Sequence, residues 1–250
     1  MTHPSTNTPN AVVVVPAGGM GRRMGGAVPK QFLQLGGVPM LVHTLKNLLA
    51  CPLVTSVIPV VPERELIATE RMLADHGIDQ IIGPVAGGDS RQQSVLNGLL
   101  QLPDSATIVA VHDAARPFPN PSTLENAIRQ AATEQLGVVI GRPSHDTIKQ
   151  VDDTNSVTGT PDRTHLWQAF TPQVFPAKMI VAAYRQAATD GFIGTDDASL
   201  AEWAGATVRM LAGDRESLKV TTPQDLITAR AWLAAEPTLQ GATTPVEETR

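Results

Sequence analysis

From residue 11 to about residue 136, short β-branched and apolar runs alternate with stretches whose apolar positions recur at helical spacing. This is the layout of βαβ units around a parallel sheet covered on both faces. Val12–Val15 reads as the first strand. Pro39 suits the first turn of a helix over Met40–Ala50, and Pro52 discourages its continuation. A second strand is expected at Val54–Val61, where Pro59 lacks one ladder donor. Glu63–His76 carries a helical pattern that stops at Gly77, a natural left-handed cap. Ile81 and Ile82 mark a strand, Ser90–Leu102 a helix, Thr107–His112 a strand, and Ser122–Leu136 a helix closed by Gly137.

Between Val138 and Val174 the pattern changes to short extended pieces broken by proline, aspartate and glycine, which suit a projecting β-arm better than another βαβ unit. Helices return at Ala177–Thr189, Asp197–Ala204 and Gln224–Ala235, with strands expected at Val208–Leu211 and Leu218–Thr221. The architecture expected is α/β: a Rossmann-like open, mostly parallel sheet with helices on both faces and a projecting β-arm. The sequence holds no internal repeat, so one domain is expected over residues 11–236, with the arm inserted at about 141–166. Polar stretches at 1–10 and 237–250 read as flexible tails.

Composition narrows the partners. A formal net charge of −5 over 250 residues argues against a broad basic footprint for nucleic acid. No stretch approaches the eighteen or more apolar residues that a membrane span requires. The start, MTHPSTNTPN, lacks both the basic opening and the apolar core of a secretory signal, so a cytoplasmic protein is expected. A single cysteine, Cys51, excludes an internal disulfide, and the six histidines show no metal-ligand spacing.

The chemistry concentrates after the first strand, in PAGGMGRRMGGAVPKQ from Pro16 to Gln31. A glycine-rich turn there lies at the carboxyl edge of a parallel sheet, where open α/β folds bind ligands. Glycines let backbone N–H groups approach phosphate oxygens, and Arg22, Arg23 and Lys30 offer countercharge. A Walker loop is excluded because Lys30 stands between Pro29 and Gln31. The dinucleotide fingerprint fails as well, with Met24 at its third glycine position. A simple strand-to-helix connection stays open on the loop alone. Near GGDS, Asp89 or Ser90 could equally well cap the following helix.

PAGGMGRRM followed by PKQF, then GGDSRQQSV, VHDAARP, DTIKQ, DRTHLWQAFTPQVF, TDDAS and LKVTTPQDL, in that order, resembles the 2-C-methyl-D-erythritol 4-phosphate cytidylyltransferase family across all but the two tails. Departures are Gly18 where many members carry alanine, Phe32 where many carry tyrosine, and Thr222 and Gln224 in place of frequent arginine and glutamate.

The resemblance implies an enzyme joining CTP to a sugar-alcohol phosphate, with Arg23 and Lys30 beside the α-phosphate. It implies that Pro16, Ala17, Gly18, Gly19 and Gly21 line the nucleotide and that Gly88, Asp89 and Ser94 recognise cytosine. Asp113, Thr147, Arg163, Thr171 and Lys219 would hold the second substrate, Arg163 and Thr147 reaching across from a partner subunit through the arm of a homodimer. Mg2+ is expected, held mostly by CTP phosphates, with Asp113 as the one candidate protein ligand. His112 is expected to be structural, since a phosphate monoester is already ionised near neutral pH, its second pKa being about 6. The rival readings are a ribitol 5-phosphate cytidylyltransferase, against which Ala115 in HDAARP speaks, and a nucleotide-binding regulator without catalysis.

Overall fold

Residues 8–19, 32–213 and 218–239 are described by the computed structural model of the chain. Strand β1 (Ala11–Pro16) is followed by β2 (Gln34–Leu35), β3 (Val38–Pro39), helix α1 (Met40–Leu49) and strand β4 (Val54–Val61). Next come α2 (Leu66–Asp75), β5 (Val85–Ala86), α3 (Arg91–Leu99), β6 (Ile108–Val111) and α4 (Pro121–Glu134). The second half contributes β7 (Gly137–Pro143), β8 (Gln150–Val151), β9 (Val157–Gly159), β10 (Trp167–Pro176), α5 (Ala177–Asp190), α6 (Asp197–Trp203), β11 (Val208–Ala212) and α7 (Pro223–Leu239). Among the described residues no helix is long and apolar enough to cross a membrane.

The main sheet runs β11-β7-β10-β6-β1-β4-β5. Only β10 is antiparallel to its neighbours; the remaining pairs are parallel. The sheet is therefore mostly parallel, as the alternating pattern predicts. Alternation along β1 separates two cores: Val13 and Val15 face α1 and α4, while Val12 and Val14 face α3, α5 and α6. Gly98 brings α3 close to that second face, because a Cβ there would stand 2.6 Å from Val14 Cγ1 and 2.9 Å from Val60 Cγ2.

Several local expectations shift. Pro59 sits inside β4 beside β1, and its missing donor is harmless. Two residues earlier, Val57 N–H donates to Gln80 O, so the Pro59 nitrogen points to the same side, where Gly83 and Pro84 interrupt the neighbouring segment. Ile81 accordingly makes a single bridge to Val57, and the paired strand begins later, at Val85. Helix α4 starts at Pro121, capped by Asn120, and ends on a left-handed Gln135 rather than at Gly137. Of the stretch from Val138 to Val174, the two ends join the main sheet as β7 and β10, because Val138, Val139, Ile140, Val174 and Phe175 belong to the cores. Between them only β8 and β9 pair, as a separate two-stranded ribbon.

No strand forms at Leu218–Thr221. Asp225 takes both the Thr221 and Thr222 N–H groups at 2.8 Å, while Thr222 Oγ1 accepts from Asp225 N at 3.2 Å. That reciprocal cap starts α7 and turns the chain away from the sheet. It also explains Thr222 itself, since a hydroxyl can cap where arginine cannot.

Candidate active site

β1 lies between β4 and β6, so the chain leaves it on one side and reaches the other only after α3. Loops after adjacent strands diverge at such a reversal and open a crevice at the carboxyl edge. A cleft of about 330 Å3 lies here. Pro16, Ala17, Gly18 and Gly19 form one wall, Gly88, Asp89, Ser90, Arg91 and Ser94 the second, and Asp113, Ala114, Ala115 and Lys219 the third.

The second wall is pinned to α3. Ser94 Oγ accepts from Gly88 N at 3.1 Å and donates to Ser90 O at 2.8 Å, while Asn97 Nδ2 donates to Ala86 O at 3.0 Å. Gly88 must lack a side chain, because its Cβ would fall 2.2 Å from Gln93 Cγ. Ser90 caps α3, its Oγ accepting from Gln93 N at 3.0 Å. Capping thus belongs to Ser90, and Asp89 is left exposed in the cleft. On the first wall a Cβ at Gly18 would meet none of the described residues within 4 Å, which leaves room for the alanine that the family resemblance puts at this position.

The third wall follows β6. Helix α1 braces it: Thr44 Oγ1 donates to Ala114 O at 3.0 Å and Asn47 Nδ2 to Pro117 O at 2.8 Å. Val220, buried in a small third core, donates its N–H to Ala115 O at 2.8 Å and so carries Lys219 to the cleft. Asp113 N–H donates to Thr171 Oγ1 at 3.1 Å. The Asp113 carboxylate accepts from Arg91 Nε at 3.2 Å on Oδ1 and from Lys219 Nζ at 2.6 Å on Oδ2. Arg116 Nε stands 4.0 Å from the same Oδ2. Burial would raise this carboxyl, but the charges of Arg91 and Lys219 hold it well below the usual carboxylate range.

Behind Asp113 lies Asp197, fully buried. Arg91 donates to it through Nη1 at 3.0 Å and Nη2 at 2.7 Å, and the Tyr184 hydroxyl adds a third bond at 2.5 Å. Burial disfavours the Arg91 cation, yet Asp197 more than compensates and raises its pKa above the ordinary value. Burial and the Asp197 charge push the Tyr184 phenol upward, so it remains a donor. His112 is enclosed, its Nε2 donating to Arg116 O at 2.9 Å, and burial pushes its pKa down to about 4. Such an imidazole is neutral near pH 7 and held by the backbone.

Of the residues singled out in the sequence, Pro16, Ala17, Gly18, Gly19, Gly88, Asp89, Ser94, Asp113 and Lys219 converge on this one cleft. Thr171 supports Asp113 from behind. Thr147 and Arg163 do not line it; both are exposed on the 144–166 segment, where Arg163 Nη1 donates to His145 O at 2.6 Å. Gly21, Arg23 and Lys30 lie outside the described residues. Sequence reasoning missed Arg91, Asp197 and Tyr184. The first two stand inside the GGDSRQQSV and TDDAS motifs, but only contact across the fold gives them a partner. Among the described residues no group of three or more His, Cys, Asp or Glu is placed to hold a metal ion. The carboxylates lining the cleft are Asp89 and Asp113.

The sequence profile of the 2-C-methyl-D-erythritol 4-phosphate cytidylyltransferase family matches residues 11–235. A protein of that name from Symbiobacterium thermophilum is 46% identical over 224 residues, spanning 90% of this chain and 93% of that one. Its counterpart from Geotalea uraniireducens is 43% identical over 223 residues, spanning 88% and 95%. The solved structure of 4-diphosphocytidyl-2C-methyl-D-erythritol synthase from Anaerococcus prevotii superposes with a TM-score of 0.79 at 28% identity, over 91% of this chain and 100% of that one.

Proposed function

The chain belongs to the 2-C-methyl-D-erythritol 4-phosphate cytidylyltransferase family, and from this premise we propose how it joins CTP and 2-C-methyl-D-erythritol 4-phosphate into 4-diphosphocytidyl-2-C-methyl-D-erythritol and pyrophosphate, a step in isoprenoid precursor synthesis. The observation that carries the reading is the single cleft in which a glycine-lined wall, the Gly88–Ser94 segment and the Asp113–Lys219 pair face one another.

An oxygen of the methylerythritol phosphate attacks the α-phosphorus of CTP, a new P–O bond forms, and the bond to the β-phosphate oxygen breaks as pyrophosphate leaves. Chemistry of this kind needs positioning and neutralisation of spreading negative charge more than proton transfer. The attacking oxygen is already ionised near neutral pH, so no general base is required, and a neutral, backbone-bonded His112 suits that. Arg23 and Lys30 stabilise the five-coordinate α-phosphorus. Pro16, Ala17, Gly18, Gly19 and Gly21 line the nucleotide. Gly88, Asp89 and Ser94 present polar groups to cytosine, and a mismatched base would leave buried donors or acceptors unpaired.

Asp113, braced from behind by Thr171, and Lys219 take the second substrate, completed by Thr147 and Arg163 of the partner subunit. Their exposure on the 144–166 segment, outside the chain's own cleft, supports a homodimer built through that segment. An arginine fork and a compact lysine charge make complementary phosphate ligands. Mg2+ suits a site with few carboxylates, held by triphosphate oxygens and water with Asp113 as the candidate protein ligand, and it would neutralise charge on the phosphates.

Pyrophosphate release, measured with CTP and Mg2+ plus either methylerythritol phosphate or ribitol 5-phosphate, tests the reading. Release with the first alone is expected. Preference for ribitol 5-phosphate would overturn the substrate, and silence with both would overturn catalysis.

A further inference from the structure

Tyr184 on α5 and Asp197 on α6 are buried polar residues to which the reaction above gives no role. Among the described contacts the Tyr184 hydroxyl has Asp197 as its partner, and phenylalanine would pack there without it. A buried carboxylate is costly, and replacing a buried ion pair by apolar groups often leaves stability unchanged or improved. What the pair does hold is direction. Asp197 takes both terminal nitrogens of the Arg91 fork, at 3.0 and 2.7 Å, which fixes the guanidinium plane and leaves Nε for Asp113 Oδ1 at 3.2 Å. With Oδ1 so engaged, Oδ2 is turned towards Lys219 Nζ at 2.6 Å. The chain of bonds runs from the core between α5 and α6 to the cleft and ends on Asp113 and Lys219, two of the residues assigned to the sugar-alcohol phosphate.

We infer that Tyr184 and Asp197 are positioning residues which, through Arg91, aim Asp113 and Lys219 at the methylerythritol phosphate and thereby set affinity for that substrate rather than for CTP. This rests on the function proposed above. Arg91 Nε is one of the groups that orient Asp113, and the Ser94–Gly88 bonds that shape the nucleotide wall involve neither Tyr184 nor Asp197. Loosening the fork should therefore be felt on one substrate and not on the other.

The test uses the full chain with Tyr184→Phe and Asp197→Asn, measuring KM for each substrate and kcat by pyrophosphate release, together with the thermal midpoint. Removing one hydrogen bond to a charged group should raise KM for methylerythritol phosphate about tenfold in Tyr184→Phe, with KM for CTP within about twofold of wild type. Asp197→Asn should show the same split more strongly; if it fails to fold, Tyr184→Phe decides alone. A folded Tyr184→Phe whose two KM values stay put, or rise together, overturns the inference while leaving the proposed function standing. A wild type that releases no pyrophosphate overturns both.

Discussion

Lowering the pH from 6.5 to about 4 should draw roughly 3 kcal/mol of stability out of the folded chain through His112 alone. The side chain is fully buried beyond the end of β6, its Nε2 held 2.9 Å from the Arg116 carbonyl, and burial lowers its pKa from 6.5 to about 4. An unfolded chain takes up this proton near pH 6.5 and the folded one only near 4, so the folded-state pKa is the depressed one. Its stabilising contribution is complete above pH 6.5, declines as pH falls, and is gone below about 4. At about 1.4 kcal/mol for each tenfold change in proton affinity, that interval makes roughly 3 kcal/mol. For a chain of this size it corresponds to about 10 °C in Tm. Thermal or urea unfolding across this range should be compared with His112→Gln, whose amide nitrogen can keep the bond to Arg116 O without titrating. Wild type minus variant should show the slope between pH 4 and 6.5. Parallel curves for the two proteins would refute the argument, as would a difference appearing only below pH 4, where the depressed Asp113 carboxyl would act instead.

Arg23→Ala and Lys30→Ala should each slow turnover by about 10² to 10³, by analogy with a lost preorganised donor, while CTP still binds; near-normal turnover in both would contradict their assignment. Ser94→Ala removes the hydroxyl that joins Gly88 N–H to Ser90 O and should raise KM for CTP by about tenfold, read in initial rates. Gly98→Ala adds a Cβ within 2.6 Å of Val14 Cγ1, and overpacking of about 1–3 kcal/mol should outweigh the gain in helix propensity, visible as a lower Tm. Removing residues 144–166 should leave an inactive monomer in sedimentation and rate measurements, and an active monomer would argue against exchange of the segment between subunits.

Much was legible before any tertiary contact. Val12–Val15 announces a strand buried on both faces, and both sides of β1 are covered by helices. The sequence offers Asp89 or Ser90 as the cap before α3, and Ser90 fills that place. The order of the motifs, through the family they resemble, implied residues on all three walls of the cleft. These are local matters, decided by a residue's own backbone freedom, its period along an element, or a partner a few positions away.

Other features came from contacts between distant segments. β10 enters the sheet antiparallel between β7 and β6, and Leu218–Thr221, apolar enough for a strand, is instead bonded to the third wall of the cleft through Val220 N–H and Ala115 O. Arg91 reads as an ordinary helix residue until Asp197, 106 positions later, meets its fork. Likewise Asp113 acquires its low pKa from Arg91 and from Lys219, the latter also 106 positions away. Periodicity and propensity thus determined most of the helices and central strands and which face each one buries. The partner of each buried charge was decided only by the fold, because a charge taken out of water must find its opposite wherever folding brings one within reach.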